Sequence, residues 1–455
     1  MCLRLLTLLC MNLFLRTTTA LVALVTCLAL TPPTADEYQQ GINWAANNSG
    51  NQWLESPIDD AFYQPPPDIP TTPGTLIRTE PAPHIANLFG PDFPGFAQTM
   101  LYSSTDQNGN PVAVSGYVIE PTATWTGPGP TPTIVFAPGT RGQGDICAPS
   151  RGALLSSAFS PEDQAIGFNY ELPVQYAAVS MGIRVVMTDY IGLGTPGVHT
   201  YANAAEQAHA VLDAGRASFQ VSDIPADSPL ALHGYSQGGG AVAAAAEHAA
   251  SYAPELVIKG TYAGAPPANL LEVFKMVDGS TISPVLGMAI NGFAARDAQF
   301  KAAVDRHLSN EGRALLATLA NRCIADASAT LAFTPSERFI KDGGSFESVL
   351  EQEPDTVALL DRQRLGRLPP TGPILVSIGL FDDVIPQPQV QQLARDYCQR
   401  NATVLYEEDP MARITPDIKS GLNHGVMVFA DIPTSLQYLT DRFNNVPAPT
   451  NCGSF

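Results

Sequence analysis

The residues of this chain best suited to do chemistry surround Ser236, in the run Gly234-Tyr235-Ser236-Gln237-Gly238. The short apolar stretch 229–232 before it indicates a buried strand, and the alanine-rich stretch 239–252 after it indicates a helix. A serine on such a sharp strand-to-helix turn is typical of a nucleophile, since small neighbours let strand and helix pass closely. We therefore expect Ser236 to be an activated nucleophile. A glycine-rich turn with an idle serine is the alternative.

A nucleophilic serine needs a histidine base, and the base needs a carboxylate that orients it. In folds with this turn the chain order is serine, acid, histidine, which leaves His424 as the only credible base among the seven histidines. Asp382 and Asp383 both follow a late apolar strand, and either can be the acid; we favour Asp382. His199 could line the mouth of the site, but a structural role is favoured.

Backbone N–H groups are expected to stabilise the oxyanion that forms on the substrate. One is the N–H of Gln237, at the start of the helix that follows the serine. The other should come from the loop after the apolar run 133–137, where Thr140 and Arg141 are the best-placed donors. Asp145 lies further along the same loop and is expected to fix its shape.

The elements that must position these residues alternate between strands and helices. Two strand patterns, 98–104 and 112–119, are joined by an Asn-Gly turn and indicate an antiparallel hairpin. Later strand patterns alternate with helices and end in glycine-containing loops, which predicts a mostly parallel sheet flanked by helices. This is an α/β fold with the layout of an α/β-hydrolase.

The expected domain organisation has a core in two parts with an insertion between them. Residues 97–268 form the first part of the core and 371–455 the second. Between them, 269–370 show helical spacing of apolar residues and are too long for a loop, so we expect an inserted helical cap or lid. Residues 36–96, polar and proline-rich, are expected to be a lead-in over the surface.

The first 35 residues have the layout of a secretory signal peptide, with few charges, an apolar centre and a small-residue exit near Ala35. Met11 is an alternative start, and lipidation at Cys27 is a less favoured alternative. No later stretch is long and apolar enough to span a bilayer, so the mature protein is expected to be secreted.

Charge and cysteine content agree with an exported enzyme that needs no metal or other cofactor. The chain has 455 residues and a formal charge of −19, which argues against binding nucleic acid or an anionic membrane surface. Four cysteines remain after the signal segment, which suggests two disulfides with three pairings open. These cysteines are Cys147, Cys323, Cys398 and Cys452.

Together with the motifs above, three further runs resemble the secretory lipases of the Candida antarctica lipase A type: 102–106, 144–150 and 188–196. The resemblance spans nearly the whole mature chain. It implies a triad of Ser236, Asp382 and His424, and a helical cap over an acyl-binding tunnel. It also implies the disulfides Cys147–Cys323 and Cys398–Cys452.

The expected function is therefore that of a secreted serine lipase or carboxylic ester hydrolase, acting on triacylglycerols and other acyl esters through an acyl-enzyme. Transient contact of the cap with a lipid interface is part of this expectation. Two alternatives stay open: a peptidase or acyltransferase on the same fold, and a non-catalytic binding protein that has kept the fold.

Overall fold

The computed structural model describes most of the chain after residue 59, namely residues 60–90, 92–411, 413–415 and 418–455. The expected signal segment 1–35, with its alternatives at Met11 and Cys27, lies outside the described residues. So does the first part of the lead-in.

Most strands of the described residues belong to one nine-stranded sheet. In chain order the strands are β1 (Leu76–Pro81), β2 (Gly95–Thr105), β3 (Pro111–Pro121), β4 (Thr133–Ala137), β5 (Ser157–Ser160), β6 (Ala165–Phe168), β7 (Arg184–Thr188), β8 (Leu230–Tyr235), β9 (Ile258–Gly264), β10 (Ile374–Gly379) and β11 (Val404–Asp409). The order across the sheet is β1-β2-β3-β7-β4-β8-β9-β10-β11, and β5 and β6 form a separate hairpin.

The sheet is mostly parallel, as the alternation of elements predicted. From β7 through β11 neighbouring strands run parallel, whereas β1, β2 and β3 pair antiparallel at one edge. Every residue of β4, β7 and β8 is buried, because helices cover both faces, and this is why these strands are continuous apolar runs in the sequence. The predicted Asn-Gly hairpin is β2–β3.

Helices occupy the intervals between the parallel strands and follow the last of these strands. They are α1 (Leu172–Ser180), α2 (Ala204–Val221), α3 (Gln237–Tyr252), α4 (Leu270–Val277), α5 (Pro284–Ala294), α6 (Ala298–His307), α7 (Asn310–Leu319), α8 (Ile324–Leu331), α9 (Phe346–Gln352), α10 (Pro354–Arg362), α11 (Gln387–Gln399), α12 (Leu422–Gly425), α13 (Met427–Ala430) and α14 (Ile432–Phe443). None of those in the described part of the chain combines the length and the apolarity needed to cross a bilayer.

The chain between β9 and β10 contributes no strand to the sheet and forms α4 through α10. Side-chain caps start several of these helices: Asp297 accepts a hydrogen bond from the Phe300 N–H at 2.8 Å, and Ser309 accepts one from the Gly312 N–H at 3.0 Å. The assignment of residues 269–370 as a separate cap domain stays a prediction.

Three local elements differ from the sequence expectation. The lead-in contains β1, an edge strand that the polar, proline-rich composition concealed. The hairpin β5–β6 was also not predicted, because strands of four residues carry little periodic signal. The sequence pattern predicts that the run 421–425 opens a single final helix that extends through 438. This part of the chain instead forms the three helices α12, α13 and α14.

Candidate active site

Ser236 lies on the sharp turn between β8 and α3, with φ 60° and ψ −122°. This conformation is strained for a residue with a Cβ, and the Ser236 N–H is held by the Gly264 carbonyl at 2.9 Å. The flanking glycines are required by close approach: a Cβ on Gly234 would lie 2.2 Å from the Gly238 carbonyl oxygen. A Cβ on Gly238 would lie 2.0 Å from the Ala137 carbonyl oxygen. The turn therefore has the geometry that the motif predicts.

The imidazole of His424 is oriented by Asp382. Its Nδ1 lies 2.7 Å from Asp382 Oδ2, and the carboxylate's other oxygen accepts the N–H groups of Val384 at 2.9 Å and Ile385 at 2.8 Å. Because a carboxylate only accepts hydrogen bonds, Nδ1 carries a proton, and in the neutral imidazole Nε2 then keeps its lone pair. The ring is therefore in the tautomer that a general base requires.

Asp383, the alternative acid, contacts the backbone of the same loop instead of the ring. Its carboxylate accepts hydrogen bonds from the N–H of Gly421 at 2.9 Å, the N–H of His424 at 3.1 Å and the hydroxyl of Ser420 at 3.2 Å. The two neighbouring carboxylates thus have different roles. Asp382 orients the imidazole, and Asp383 holds the loop that carries His424.

A cavity of about 270 Å³ brings Ser236, Gln237, His424 and Thr140 together at the carboxyl edge of the sheet. Among the described residues no hydrogen bond joins Ser236 to His424, although both line this cavity. Catalytic hydrogen bonds are often long in ligand-free structures. Apolar side chains from α4, from the segment leading to α5 and from α5 itself also line this cavity: Leu270, Val273, Phe274, Val277, Ile282 and Val285.

Thr140 and Arg141, the two residues of the expected oxyanion loop after β4, differ in their surroundings. Thr140 lines the cavity, and its hydroxyl lies 2.8 Å from the hydroxyl of Tyr201. The Arg141 side chain is buried away from the cavity, where it pairs with Glu171 and stacks over the Tyr170 ring at 4.0 Å. The guanidinium is therefore not available to a substrate, which leaves the backbone N–H as the group that Arg141 can contribute.

His199 does not line the cavity but lies behind it. Its Nδ1 lies 3.1 Å from the Ile191 carbonyl oxygen, so Nδ1 donates and Nε2 accepts from the Gln237 side-chain amide at 3.2 Å. Burial lowers the pKa of His199 to about 4, which keeps the ring neutral. The structural role favoured from the sequence agrees with these contacts.

Two contributors to the site were missed by sequence reasoning. The Tyr235 hydroxyl donates to the His424 carbonyl at 3.0 Å and so ties the residue before the serine to the histidine loop. Glu171 is buried beside the oxyanion loop, where burial raises the pKa of its carboxyl group while the attraction of Arg141 opposes the rise. Tyr235 could have been found from the sequence, because it directly precedes Ser236. Glu171 could not, because 30 residues separate it from Arg141.

Two disulfides join the four cysteines in the pairing that the resemblance implied, Cys147–Cys323 and Cys398–Cys452. The first links the oxyanion-loop segment to the residue preceding α8. The second links α11 to the C-terminal tail.

Asp145 accepts the Gly194 N–H at 3.1 Å and so ties its loop to the segment after β7.

A mostly parallel sheet, a strained serine between a strand and a helix, and a carboxylate–histidine pair at the sheet's carboxyl edge define the α/β-hydrolase class. Comparison with known families then gives the particular group. Residues 159–451 match the sequence model of the Secretory lipase family, and the chain belongs to that family.

Individual relatives agree with this assignment. A probable inactive lipase of Mycobacterium tuberculosis is 29% identical over 86% of this chain and 83% of its own length. Lipase 10 of Candida albicans is 26% identical over 88% of this chain and 84% of its own length. The chain is therefore a lipase-like hydrolase by family.

Solved structures support the fold independently. Candida antarctica lipase A in its closed state superposes with a TM-score of 0.72 at 21% identity, covering 88% of this chain and 90% of that protein. The rice cell wall degrading esterase LipA from Xanthomonas oryzae superposes with a TM-score of 0.65 at 17% identity, over 82% of this chain and 99% of its own. The α/β-hydrolase fold expected from the sequence is confirmed.

Proposed function

We propose that this chain is a secreted serine hydrolase of carboxylic esters, with triacylglycerols among its substrates. The observation that carries the proposal is the 2.7 Å contact between His424 Nδ1 and Asp382 Oδ2, in a cavity that Ser236 also lines. A buried carboxylate that orients a histidine beside a strained serine is the arrangement that serine hydrolases use.

In this proposal Ser236 attacks the ester carbonyl carbon while His424 Nε2 takes its proton. Asp382 stabilises the imidazolium that results. The N–H of Gln237 and an N–H of the loop at Thr140 and Arg141 hold the oxyanion. His424 then gives its proton to the departing alcohol, which leaves an acyl-enzyme that water hydrolyses by the same steps.

The lining of the cavity favours an uncharged, apolar acyl group. Among the described residues that line it, none is Asp, Glu, Lys or Arg, so a charged peptide terminus or side chain would find no ionic partner there. Its aliphatic and aromatic wall would instead exclude water from a hydrocarbon chain. This composition argues for an ester of a fatty acid over a peptide.

Secretion is part of the proposal and is supported by the family and by two disulfides, which persist in oxidising compartments. Expression of the full chain should release into the medium a protein whose first residue, read by mass spectrometry, lies near residue 36. Recovery of the chain with Met1 or Met11 as its first residue, retained in the cell, would contradict this part.

The test of catalysis is Ser236→Ala, measured on p-nitrophenyl esters and on triglycerides of short and long chain length. We expect kcat to fall by about 10⁵-fold or more, because the nucleophile is lost while the fold has little reason to change. Ser251→Ala is the matched control, since Ser251 is an exposed serine at the far end of α3. Full activity in Ser236→Ala would refute the proposed mechanism.

A non-catalytic binding protein is the second candidate, and the probable inactive relative of Mycobacterium tuberculosis is the observation that favours it. The two candidates differ in the reactivity of the serine. A fluorophosphonate probe should label the wild-type chain at Ser236, whereas a protein with an idle serine would remain unlabelled at that position.

A further inference from the structure

The loop between β4 and Gly142 is held by a buried carboxylate that the mechanism does not use. Glu171 Oε1 accepts the N–H of Gly139 at 2.9 Å, and Oε2 pairs with the guanidinium of Arg141. Both side chains of the pair are almost completely buried, at 5% and 2% exposure. The Glu171 carboxylate thus contacts both residues that flank Thr140.

Most other polar groups of this loop also have a protein partner. The loop carbonyls accept three hydrogen bonds: Tyr190 OH to Pro138 O at 2.8 Å, Tyr170 OH to Thr140 O at 3.1 Å, and Ile324 N–H to Arg141 O at 2.8 Å.

The N–H groups of Thr140 and Arg141, by contrast, have no acceptor among the described residues. Backbone N–H groups of a native structure are nearly always paired, so two that the protein leaves without an acceptor call for an explanation. Both N–H groups lie in the loop after β4, the strand beside β8, and Thr140 lines the cavity that Ser236 also lines.

We propose that Glu171, together with Arg141, is a positioning pair that sets the loop donor of the oxyanion hole. This inference rests on the proposed ester hydrolysis and deepens it, because it explains what holds the second donor in place. Neither side chain touches substrate. They act by fixing Gly139 and Arg141, between which the Thr140 N–H lies.

The buried pair allows stability to be separated from positioning. Removing one partner leaves an uncompensated buried charge and is strongly destabilising, whereas replacing both by neutral residues of similar volume is often neutral. The double variant Glu171→Gln with Arg141→Met should therefore recover most of the stability that either single variant loses. In this double variant the glutamine side chain can still accept the Gly139 N–H, but the ion pair with residue 141 is lost.

The experiment compares hydrolysis of an oxygen ester with that of the matching thionoester, in which sulfur replaces the carbonyl oxygen. Sulfur is a poor hydrogen-bond acceptor, so the ratio of the two kcat/KM values measures the contribution of the oxyanion donors. A well-placed donor contributes about 10²–10³-fold to kcat, and we expect a misplaced one to forfeit about 10–100-fold. The double variant should lose this amount on the ester, with KM little changed, and its ester-to-thionoester ratio should fall by about tenfold.

Glu120→Gln is the matched control, because Glu120 pairs with Arg184 at 2.6 Å and Arg184 begins β7, at the opposite end of the parallel strands. This variant should leave the ester-to-thionoester ratio at the wild-type value even where it lowers the melting temperature.

A wild-type ratio in the folded double variant would overturn the positioning role, whatever the change in kcat, since a purely structural pair affects both substrates alike. Where the double variant does not fold, Arg141→Lys, which keeps a positive charge beside Glu171 but loses the planar guanidinium, is scored by the same ratio. A wild-type chain no more active than Ser236→Ala on either substrate would overturn the proposed hydrolysis and this inference with it.

Discussion

Substituting Asp382 by asparagine changes one atom group at the point where the histidine is oriented. Asparagine Oδ1 can still accept the N–H groups of Val384 and Ile385, which lie 2.9 and 2.8 Å from that oxygen in the native chain. The NH₂ that replaces Oδ2 is a donor, however, and it faces His424 Nδ1 across a distance of 2.7 Å. The ring must therefore accept at Nδ1 and carry its proton on Nε2.

A ring protonated on Nε2 cannot accept the proton of Ser236. The wrong tautomer costs about 10⁴-fold in kcat when the geometry is otherwise intact. Each factor of ten is about 1.4 kcal/mol of barrier, so the expected loss is about 5–6 kcal/mol of transition-state stabilisation. The melting temperature should fall far less than this energy suggests, because both backbone hydrogen bonds of the side chain are retained.

Asp383→Asn is the matched control, one residue away. Asp383 accepts hydrogen bonds from backbone N–H groups and from Ser420, so its loss should loosen the loop and cost about 1–3 kcal/mol of unfolding free energy. Both variants are compared by kcat on a p-nitrophenyl ester and by thermal unfolding. A kcat for Asp382→Asn within tenfold of wild type, or an equal loss in Asp383→Asn, would refute this division of roles.

Two further predictions concern the scaffold. Replacing Cys147 and Cys323 by serine should lower both the unfolding free energy, by about 2–5 kcal/mol, and kcat, because this bridge anchors the oxyanion-loop segment. Replacing Cys398 and Cys452 by serine should lower the unfolding free energy but leave kcat unchanged. Denaturant unfolding and kcat are measured for both double variants. An unchanged kcat in the variant without Cys147 and Cys323 would contradict the prediction. Burial raises the pKa of Asp189 from 3.8 to about 6, so its contribution to stability is complete below the lower value and is lost as pH rises through the higher one. Asp189→Asn should remove this pH-dependent loss. The unfolding free energy of the variant, measured by urea unfolding, should rise relative to that of the wild type by about 3 kcal/mol between about pH 4 and pH 7. A difference between the two proteins that does not change with pH would refute the prediction.

The sequence predicted the fold well, and it singled out a candidate site, because both depend on local patterns. The buried strands are continuous apolar runs. The serine lies in a motif whose glycines are required, because a Cβ on Gly234 or Gly238 would lie only 2.0–2.2 Å from a carbonyl oxygen. The order of serine, acid and histidine then reduced seven histidines to His424. Asp382 and Asp383 could not be separated by pattern alone, because only side-chain direction distinguishes them.

What the sequence could not predict depends on contacts between distant residues. Arg141 was chosen from its position in the loop, and nothing near it indicated that its side chain pairs with Glu171. Likewise, β1 became recognisable only through its pairing with β2, because pairing at a sheet edge is a property of two segments.

Backbone strain recurs at the carboxyl edge of the sheet. Tyr190, Ser236 and Ala265 follow the strands β7, β8 and β9, and all three have positive φ, at 73°, 60° and 42°. Such values are uncommon for residues with a Cβ and persist only where the surroundings hold them. Here hydrogen bonds do so: the Ala265 N–H donates to the Ser377 carbonyl at 2.7 Å, and the Ser236 N–H to the Gly264 carbonyl at 2.9 Å. Because neighbouring strands hold the bends at Ser236 and Ala265, the sheet fixes the serine turn before substrate arrives. Of the three strained positions, only Ser236 lies within a motif that sequence reasoning recognises.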